Sequence, residues 1–173
     1  MHLIPQTQIQ RVMLSLLEDY TGCVCVPSNT TEQMPAYPYI SFSVINTDAK
    51  KGTYGATTVV KDGVETDVLF MPVLQKWSFT VQSDDDAEAL EKAIQISDFF
   101  AEAKRRELED NDIIVADVSG ITLRDTLLTI EYEYRKGLDV TLRLNNVIEA
   151  TADTIEKATL EGNSERMTTI EKE

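Results

Sequence analysis

The stretch Leu127-Leu128-Thr129-Ile130-Glu131-Tyr132-Glu133-Tyr134-Arg135-Lys136-Gly137-Leu138-Asp139-Val140-Thr141-Leu142-Arg143-Leu144 decides the fold. Leu128, Ile130, Tyr132 and Tyr134 alternate with Thr129, Glu131, Glu133 and Arg135. Beyond Lys136-Gly137, Leu138, Val140, Leu142 and Leu144 alternate with Asp139, Thr141 and Arg143. Period-two patterning gives a strand one buried face and one wet face. With a glycine at its centre, the stretch predicts a β-hairpin turning at Lys136-Gly137. Nothing in it resembles a catalytic apparatus.

The rest of the chain fits around that sheet. Ile9, Val12, Met13, Leu16, Leu17 and Tyr20 recur at three- and four-residue steps after Pro5, and Gly22 follows. That predicts an amphipathic helix with proline in its first turn and a glycine stop. Cys23 to Val26 and Tyr39 to Ile45 predict strands, separated by the polar, proline-punctuated loop 28–38. Within 46–72, Asp62-Gly63 lies between two β-branched runs and predicts a hairpin tip joining strands near Ala56–Lys61 and Val64–Met71. This segment reads as a projecting hairpin or arm, or as a long loop ordered only by a partner. Val73 to Gln82 predicts another strand, with Trp77, Phe79 and Val81 on one face. Ser83-Asp84-Asp85-Asp86 supplies caps and first-turn acids for a second helix running to about Glu109, closed by Lys104-Arg105-Arg106. Ile113 to Val118 predicts a strand. The expected fold class is α+β: a single, mostly antiparallel sheet, two amphipathic helices on one face, and a helical or flexible C-terminal tail. The expected division is a domain over 1–148 and an acidic tail over 149–173.

Bulk properties exclude several functions. The chain has 173 residues, 42% of them hydrophobic, enough to bury one core. Its formal net charge is −14, with 30 acidic against 16 basic residues. Phosphate binding needs clustered Lys and Arg, so such a chain is poorly suited to gripping nucleic acid. No apolar run approaches the 18 or so residues that a transmembrane helix needs. Met1-His2-Leu3-Ile4-Pro5-Gln6 lacks the charged and apolar regions of a signal peptide, which sets a cytoplasmic expectation.

Residues that could carry chemistry each have a plainer explanation. Cys23 and Cys25 lack metal-ligating partners, since His2 is the only histidine, and they read as buried, reduced strand residues. A lone histidine on a terminus is equally poor for activating a nucleophile. Asp84, Asp85 and Asp86 are offered as helix caps before any metal site. Asp110-Asn111-Asp112 resembles half a calcium loop without the glycine and the glutamate such a loop requires. No phosphate-binding glycine motif is present. No catalytic, cofactor or metal residue is expected. Candidate contact residues are Lys50, Lys51, Tyr54, Val68 and Phe70 in or near the projecting segment, together with Glu131, Glu133, Arg135, Asp139 and Arg143 on the last hairpin. For the charged group, cross-strand pairing worth a few tenths of a kcal/mol each and a polar interface to a neighbouring copy both stay open. Tyr37, Tyr39 and Tyr54 add an aromatic contact signal.

Three segments carry a family resemblance: Pro38-Tyr39-Ile40-Ser41-Phe42, Trp77-Ser78-Phe79-Thr80-Val81, and Glu131-Tyr132-Glu133-Tyr134-Arg135-Lys136-Gly137-Leu138-Asp139-Val140. Together they resemble the tail-terminator (neck-terminator or tail-completion) proteins of long-tailed bacteriophages. The last is similar to that family's aromatic-Arg-x-Gly-aromatic-Asp-Val signature, with Leu138 where an aromatic is common. The resemblance spans roughly Ile9 to Val147. It implies a structural virion protein, not an enzyme, assembled in the host bacterial cytoplasm. The implied assembly is a ring, usually a hexamer, that caps the head-proximal end of the tail tube, stops its polymerisation and joins the tail to the head-side connector. Its implied partners are further copies of itself, the tail tube protein, the head–tail connector or stopper, and a sheath or collar protein if the tail contracts. Genomic DNA would pass through the lumen without specific binding, and no membrane is involved. Another tail or neck component of related fold, such as a tube subunit, a head–tail stopper or a baseplate adaptor, is the competing function. A metal-dependent hydrolase built on Asp84–Asp86 is the enzymatic alternative.

Overall fold

The computed structural model describes residues 6–31, 33–49, 55–61, 63–127, 132–151, 157–160 and 168–171. In chain order these form α1 (Gln6–Thr21), β1 (Val24–Pro27), β2 (Tyr39–Ala49), β3 (Gly55–Lys61), β4 (Val64–Ser83) and α2 (Asp86–Asp98). A π-helical turn over Phe99–Ala103 leads into α3 (Arg105–Glu109). Strands β5 (Ile114–Val118), β6 (Thr122–Leu123), β7 (Thr126–Leu127), β8 (Tyr132–Thr151), β9 (Lys157–Leu160) and β10 (Thr168–Glu171) follow. The class is α+β, as expected. Eight strands make one sheet in the order β1-β2-β4-β8-β5, with β3 beside β4 and with β6 and β7 beside β8. Only β1 and β2 run parallel among these pairs.

The backbone of the molecule is a ribbon of two 20-residue strands, β4 and β8. They pair without a register shift from Thr66 opposite Thr151 to Ser83 opposite Tyr134. At about 3.3 Å per residue each strand spans roughly 66 Å. One face of its inner half carries Trp77, Phe79 and Val81 beside Leu138, Val140 and Leu142, all essentially buried. Ile40 and Phe42 of β2 extend this face, and Ile9, Met13 and Leu17 of α1 and Ala89, Ala93 and Ile96 of α2 cover it.

The expected hairpin at Lys136-Gly137 does not exist. Gly137 lies inside β8, opposite Thr80, and the strand runs straight through it. The apolar residues occupy even positions on both sides of the glycine, which one continuous strand keeps on one face. A two-residue turn at 136–137 would instead have set Arg135 opposite Leu138, apolar against charged. Likewise the expected strands 64–71 and 73–82 are one strand. Pro72 falls where β2 has ended, at Ala49 opposite Val73, and β3 has not begun, at Gly55 opposite Phe70. Among the described residues Pro72 pairs with Asn145 of β8 alone, and a strand flanked on one side only tolerates a residue without an N–H.

The expected second helix is broken in two. Phe99 and Phe100 are both fully buried, packed edge to face at 4.8 Å, with Phe100 also 5.1 Å from Phe79. Successive residues of a regular helix point about 100° apart, and the π turn re-aims the helix here so that both rings enter the core. Lys104 and Arg105 therefore open α3 rather than close α2, pairing with Glu107 and Glu109. The Gly22 stop is as expected, with φ of 69° and its N–H donating to the Glu18 carbonyl at 2.8 Å.

The projecting hairpin is present. Strands β3 and β4 turn at Gly63, where φ is 80°, and the described strands pair from Gly55 opposite Phe70 to Lys61 opposite Val64. Strand β8 runs alongside them to Thr151, which makes the projection a three-stranded arm. None of the described side chains in 66–70 and at Pro72 belongs to the main core cluster. Beyond Thr151, where a helical or flexible tail was expected, Lys157–Leu160 and Thr168–Glu171 pair as an antiparallel two-stranded sheet.

Candidate functional site

Gly137 has a use other than turning the chain. A β-carbon on it would meet the Arg124 guanidinium at 2.6 Å, so the missing side chain makes the bed in which Arg124 lies. From there Arg124 Nη1 donates to Ser78 Oγ at 2.7 Å and Thr80 Oγ1 at 2.8 Å. Its Nη2 donates to Asp139 Oδ1 at 2.9 Å, and Lys76 Nζ stands 3.3 Å from Asp139 Oδ2. These side chains occupy the sheet face turned away from the helices. Burial alone would raise the Asp139 carboxyl. Hydrogen bonds from Arg124, Ser78 and Lys76 and the Arg124 charge outweigh it and hold Asp139 below its usual range.

A second cluster lies further along β8. Glu133, 4% exposed, accepts from Tyr37 Oη at 2.7 Å and forms an ion pair with Arg135. Tyr37 and Tyr39 stack with centroids 5.7 Å apart. Burial and then the hydrogen bond to Glu133 push the Tyr37 phenol up to about 12. Between the two clusters is a depression of about 290 Å³ floored by Ser41, Thr80 and Gln82, with Arg124, Arg135 and Met34 around it. On the helix side, Lys136 reaches Asp86 at 2.5 Å and Asp125 at 3.2 Å. Asp125 Oδ1 also accepts from the Arg135 N–H at 2.7 Å. The segment Tyr134-Arg135-Lys136-Gly137-Leu138-Asp139-Val140 thus has a physical role at nearly every position. Its odd residues build the polar face, and its even residues enter the core or bind the start of α2.

The remaining sites are occupied structurally. Asp85 caps α2 by accepting from the Glu88 N–H at 2.8 Å, and Asp86 pairs with Lys136. Cys23 is buried and Cys25 half-buried, both free thiols. Burial, then the neighbouring Glu18 and Cys23, push the Cys25 thiol up to about 12, far from a reactive thiolate. Among the described residues no group of three or more His, Cys, Asp or Glu side chains is placed to hold a metal. No described helix is long and apolar enough to cross a membrane.

A family model described as phage neck terminator protein matches residues 8–166, nearly the whole chain. The chain belongs to that family. A comparison with curated proteins finds no match. Membership makes the chain a structural component of the phage neck, and so of the virion. The match extends past Val147, where the sequence resemblance ended, through the end of β8 and β9.

Of the candidate contact residues in this neck terminator, Lys50, Lys51, Tyr54 and Glu131 lie outside the described residues. Glu133 and Arg135 are brought together, and Asp139 joins the Arg124 cluster, 21% exposed at its side chain. Arg143 is exposed, opposite Leu74 and Ile114. In the arm, Val68 is buried in the sheet opposite Thr57, while Phe70 is partly exposed beside Gly55. Glu133 is therefore an internal support and not a surface charge. Arg124, Lys76 and Asp125 escaped the sequence reading, for no local pattern marks a loop arginine that crosses back over a strand. The one available signal was a glycine inside a strand-like alternation, which favours close approach of another group.

Proposed function

We propose that this protein forms a ring that caps the head-proximal end of the phage tail tube, ends tube polymerisation and joins the tail to the head-side connector. Six copies per ring is the stoichiometry the family resemblance implies. The supporting observation is the arm. Strands β4 and β8 continue well beyond the helix-covered core, with β3 on one side of the arm. Among the described residues no strand pairs with the outer edge of β3, or with β8 beyond Arg143 on the side away from β4. Such edges offer unpaired N–H and C=O groups to another chain, and a ring of identical copies is one way to satisfy them.

A terminator must match a tube end on one side and refuse further tube subunits on the other. The polar, internally paired face around Arg124 and Asp139 is suited to contact without open-ended strand addition. With a net charge of −14, a lumen lined by this protein would repel DNA and let it slide. The tail tube protein, the head–tail connector or stopper and, in a contractile tail, a sheath or collar protein are the corresponding partners.

Cryo-electron microscopy of the purified protein mixed with phage tail tubes tests this. A single closed ring on one end of each tube is expected. Extension of the tube would identify a tube subunit, and failure to engage it would favour a stopper or adaptor.

A further inference from the structure

The depression between the two clusters of the polar face has an unusual electrostatic character for this chain. Ser41, Thr80 and Gln82 form its floor, and Arg124 and Arg135 stand around it. Although the chain has 30 acidic residues, none is among the described residues that line this depression. The acids that hold the two guanidiniums lie outside the lining. Asp139 accepts from Arg124 Nη2 at 2.9 Å, and Glu133 engages Nε and Nη2 of Arg135. A guanidinium carries five N–H donors in a planar fork. Glu133 takes one edge of the Arg135 fork, and Arg135 Nη1 has no partner among the described residues. Two positive charges thus border a recess that their own counter-ions do not enter.

The recess is also pre-built. Ser41 and Gln82, 8% and 7% exposed, are hydrogen-bonded to each other at 2.8 Å. Arg124 is fixed by Ser78 and Thr80 above the bare Cα of Gly137. Little ordering is therefore left for a ligand to impose. The volume of about 290 Å³ lies just under the range of about 300–1,000 Å³ typical of small-molecule sites, and suits one inserted side chain. Met34, 48% exposed, and Tyr39 supply apolar walls. Met, Tyr and Arg are the residue types enriched where proteins meet, whereas Lys and Glu are depleted there. A guanidinium fork matches a planar carboxylate. A DNA phosphate is the poorer fit, because a chain of net charge −14 repels nucleic acid.

We infer that this depression receives the carboxylate of an Asp or Glu side chain from a partner protein docked on the polar face. Arg135 is its hydrogen-bond donor and Arg124 the second positive charge. The inference rests on the joining role proposed above only for the partner's place in the neck.

Magnetic resonance titration of the full chain tests the site itself. The probe is N-acetylglutamic acid α-amide, with N-acetylglutamine amide as the uncharged control and inorganic phosphate as the competing anion. Saturable shifts of the Arg135 Nε–H and of the Ser41 and Gln82 amides are expected with the glutamate probe. Ser41→Asp plants a carboxylate in the recess and should weaken probe binding by about tenfold or more, the scale of one hydrogen bond to a charged group. Ser41→Asn, of the same size but neutral, should bind the probe as the wild type does. No saturable shift, or an equal response to the glutamine control, would overturn the site. Tighter binding of phosphate would overturn the choice of a carboxylate. A Ser41→Asp chain that fails to fold while Ser41→Asn folds would count against it as well, since a recess suited to a carboxylate accepts one.

Tail tubes and heads then test the partner. Ser41→Asp should lose attachment to one of them, and Ser41→Asn should keep both. Normal attachment of Ser41→Asp to both would overturn the docking role. A wild type that binds the glutamate probe but engages neither would sink the terminator reading and leave the carboxylate site standing.

Discussion

The two halves of the β4–β8 ribbon are made of the same paired strands and do different work. In the inner half, Trp77 and Phe79 are fully buried, stacked at 6.4 Å, beneath two helices. In the outer half, the described side chains of 66–70 and Pro72 lie outside the main core cluster, β3 adds a third strand, and Val60 points to solvent. Strand length is set by pairing, whereas stability is set by what covers the strand. A long ribbon can thus be anchored at one end and offered at the other. Trp77→Ala should therefore cost about 3–5 kcal/mol in equilibrium urea unfolding, the range for deleting a large buried aromatic. Val60→Ala should change stability by less than about 0.5 kcal/mol, as expected for an exposed position. Equal losses at the two positions would break the comparison, because the arm would then belong to the core.

The next largest effect concerns how the polar face is built. Gly137→Ala should cost about 1–3 kcal/mol, the range for forcing volume into a filled site. The obstacle is the Arg124 guanidinium, held by Ser78, Thr80 and Asp139. In an Arg124→Ala background the same substitution should cost clearly less, since the space is then empty. This non-additivity is what a double-mutant cycle detects for groups in contact. A Gly137→Ala cost that is the same in both backgrounds would show that the strand itself needs the glycine.

Why Gly137 misled the sequence reading is instructive. Alternation on both sides of a glycine fits a hairpin and a long strand alike, and the difference lies only in phase. Leu128 to Leu144 keep their apolar residues at even positions throughout, which a two-residue turn would have inverted. Strands β1, β2 and β5, the first helix with its Gly22 stop and the β3–β4 hairpin were legible because each is specified by local period or turn chemistry. The polar face was not. Arg124 reaches it from a loop, Lys76 from β4 and Tyr37 from a proline-rich segment, so only the tertiary fold joins them. The π turn was equally hidden, since two adjacent phenylalanines within a helical period do not reveal that both must be buried.

Acid should distinguish the two halves again. The Asp139 carboxyl is held below its usual value of 3.8 by Arg124, Ser78 and Lys76 against the opposing effect of burial. A carboxylate depressed in the folded state contributes stability that is complete above the unfolded value and is lost as pH falls through the folded one. Asp139→Asn should thus lower stability by about 1 kcal/mol at neutral pH, the scale of one net hydrogen bond to a charged group on a partly exposed face. Urea midpoints for wild type and variant should draw together as pH falls below 3.8 and meet below the lower folded value, where the wild type is protonated as well. A gap that persists unchanged into strong acid would mean that the charge of Asp139 is not what matters.

Tyr37 and Glu133 should give the smallest and most local effect. The phenol donates to a carboxylate that is 4% exposed and also pairs with Arg135, so removing the hydroxyl leaves Glu133 partly satisfied. Tyr37→Phe should therefore cost no more than about 1 kcal/mol, the net worth of one hydrogen bond. The spectroscopic consequence is clearer than the energetic one. Burial, followed by the bond to Glu133 and its negative charge, raises the Tyr37 phenol from 10.0 to about 12. Its contribution to stability is complete below pH 10.0 and is lost as the pH rises toward 12. Alkaline titration of the tyrosinate absorbance should show a late-ionising component that Tyr37→Phe removes and Glu133→Gln moves to lower pH. If Glu133→Gln leaves that component in place, burial alone holds the proton, and the carboxylate serves only to position Arg135 at the edge of the polar face.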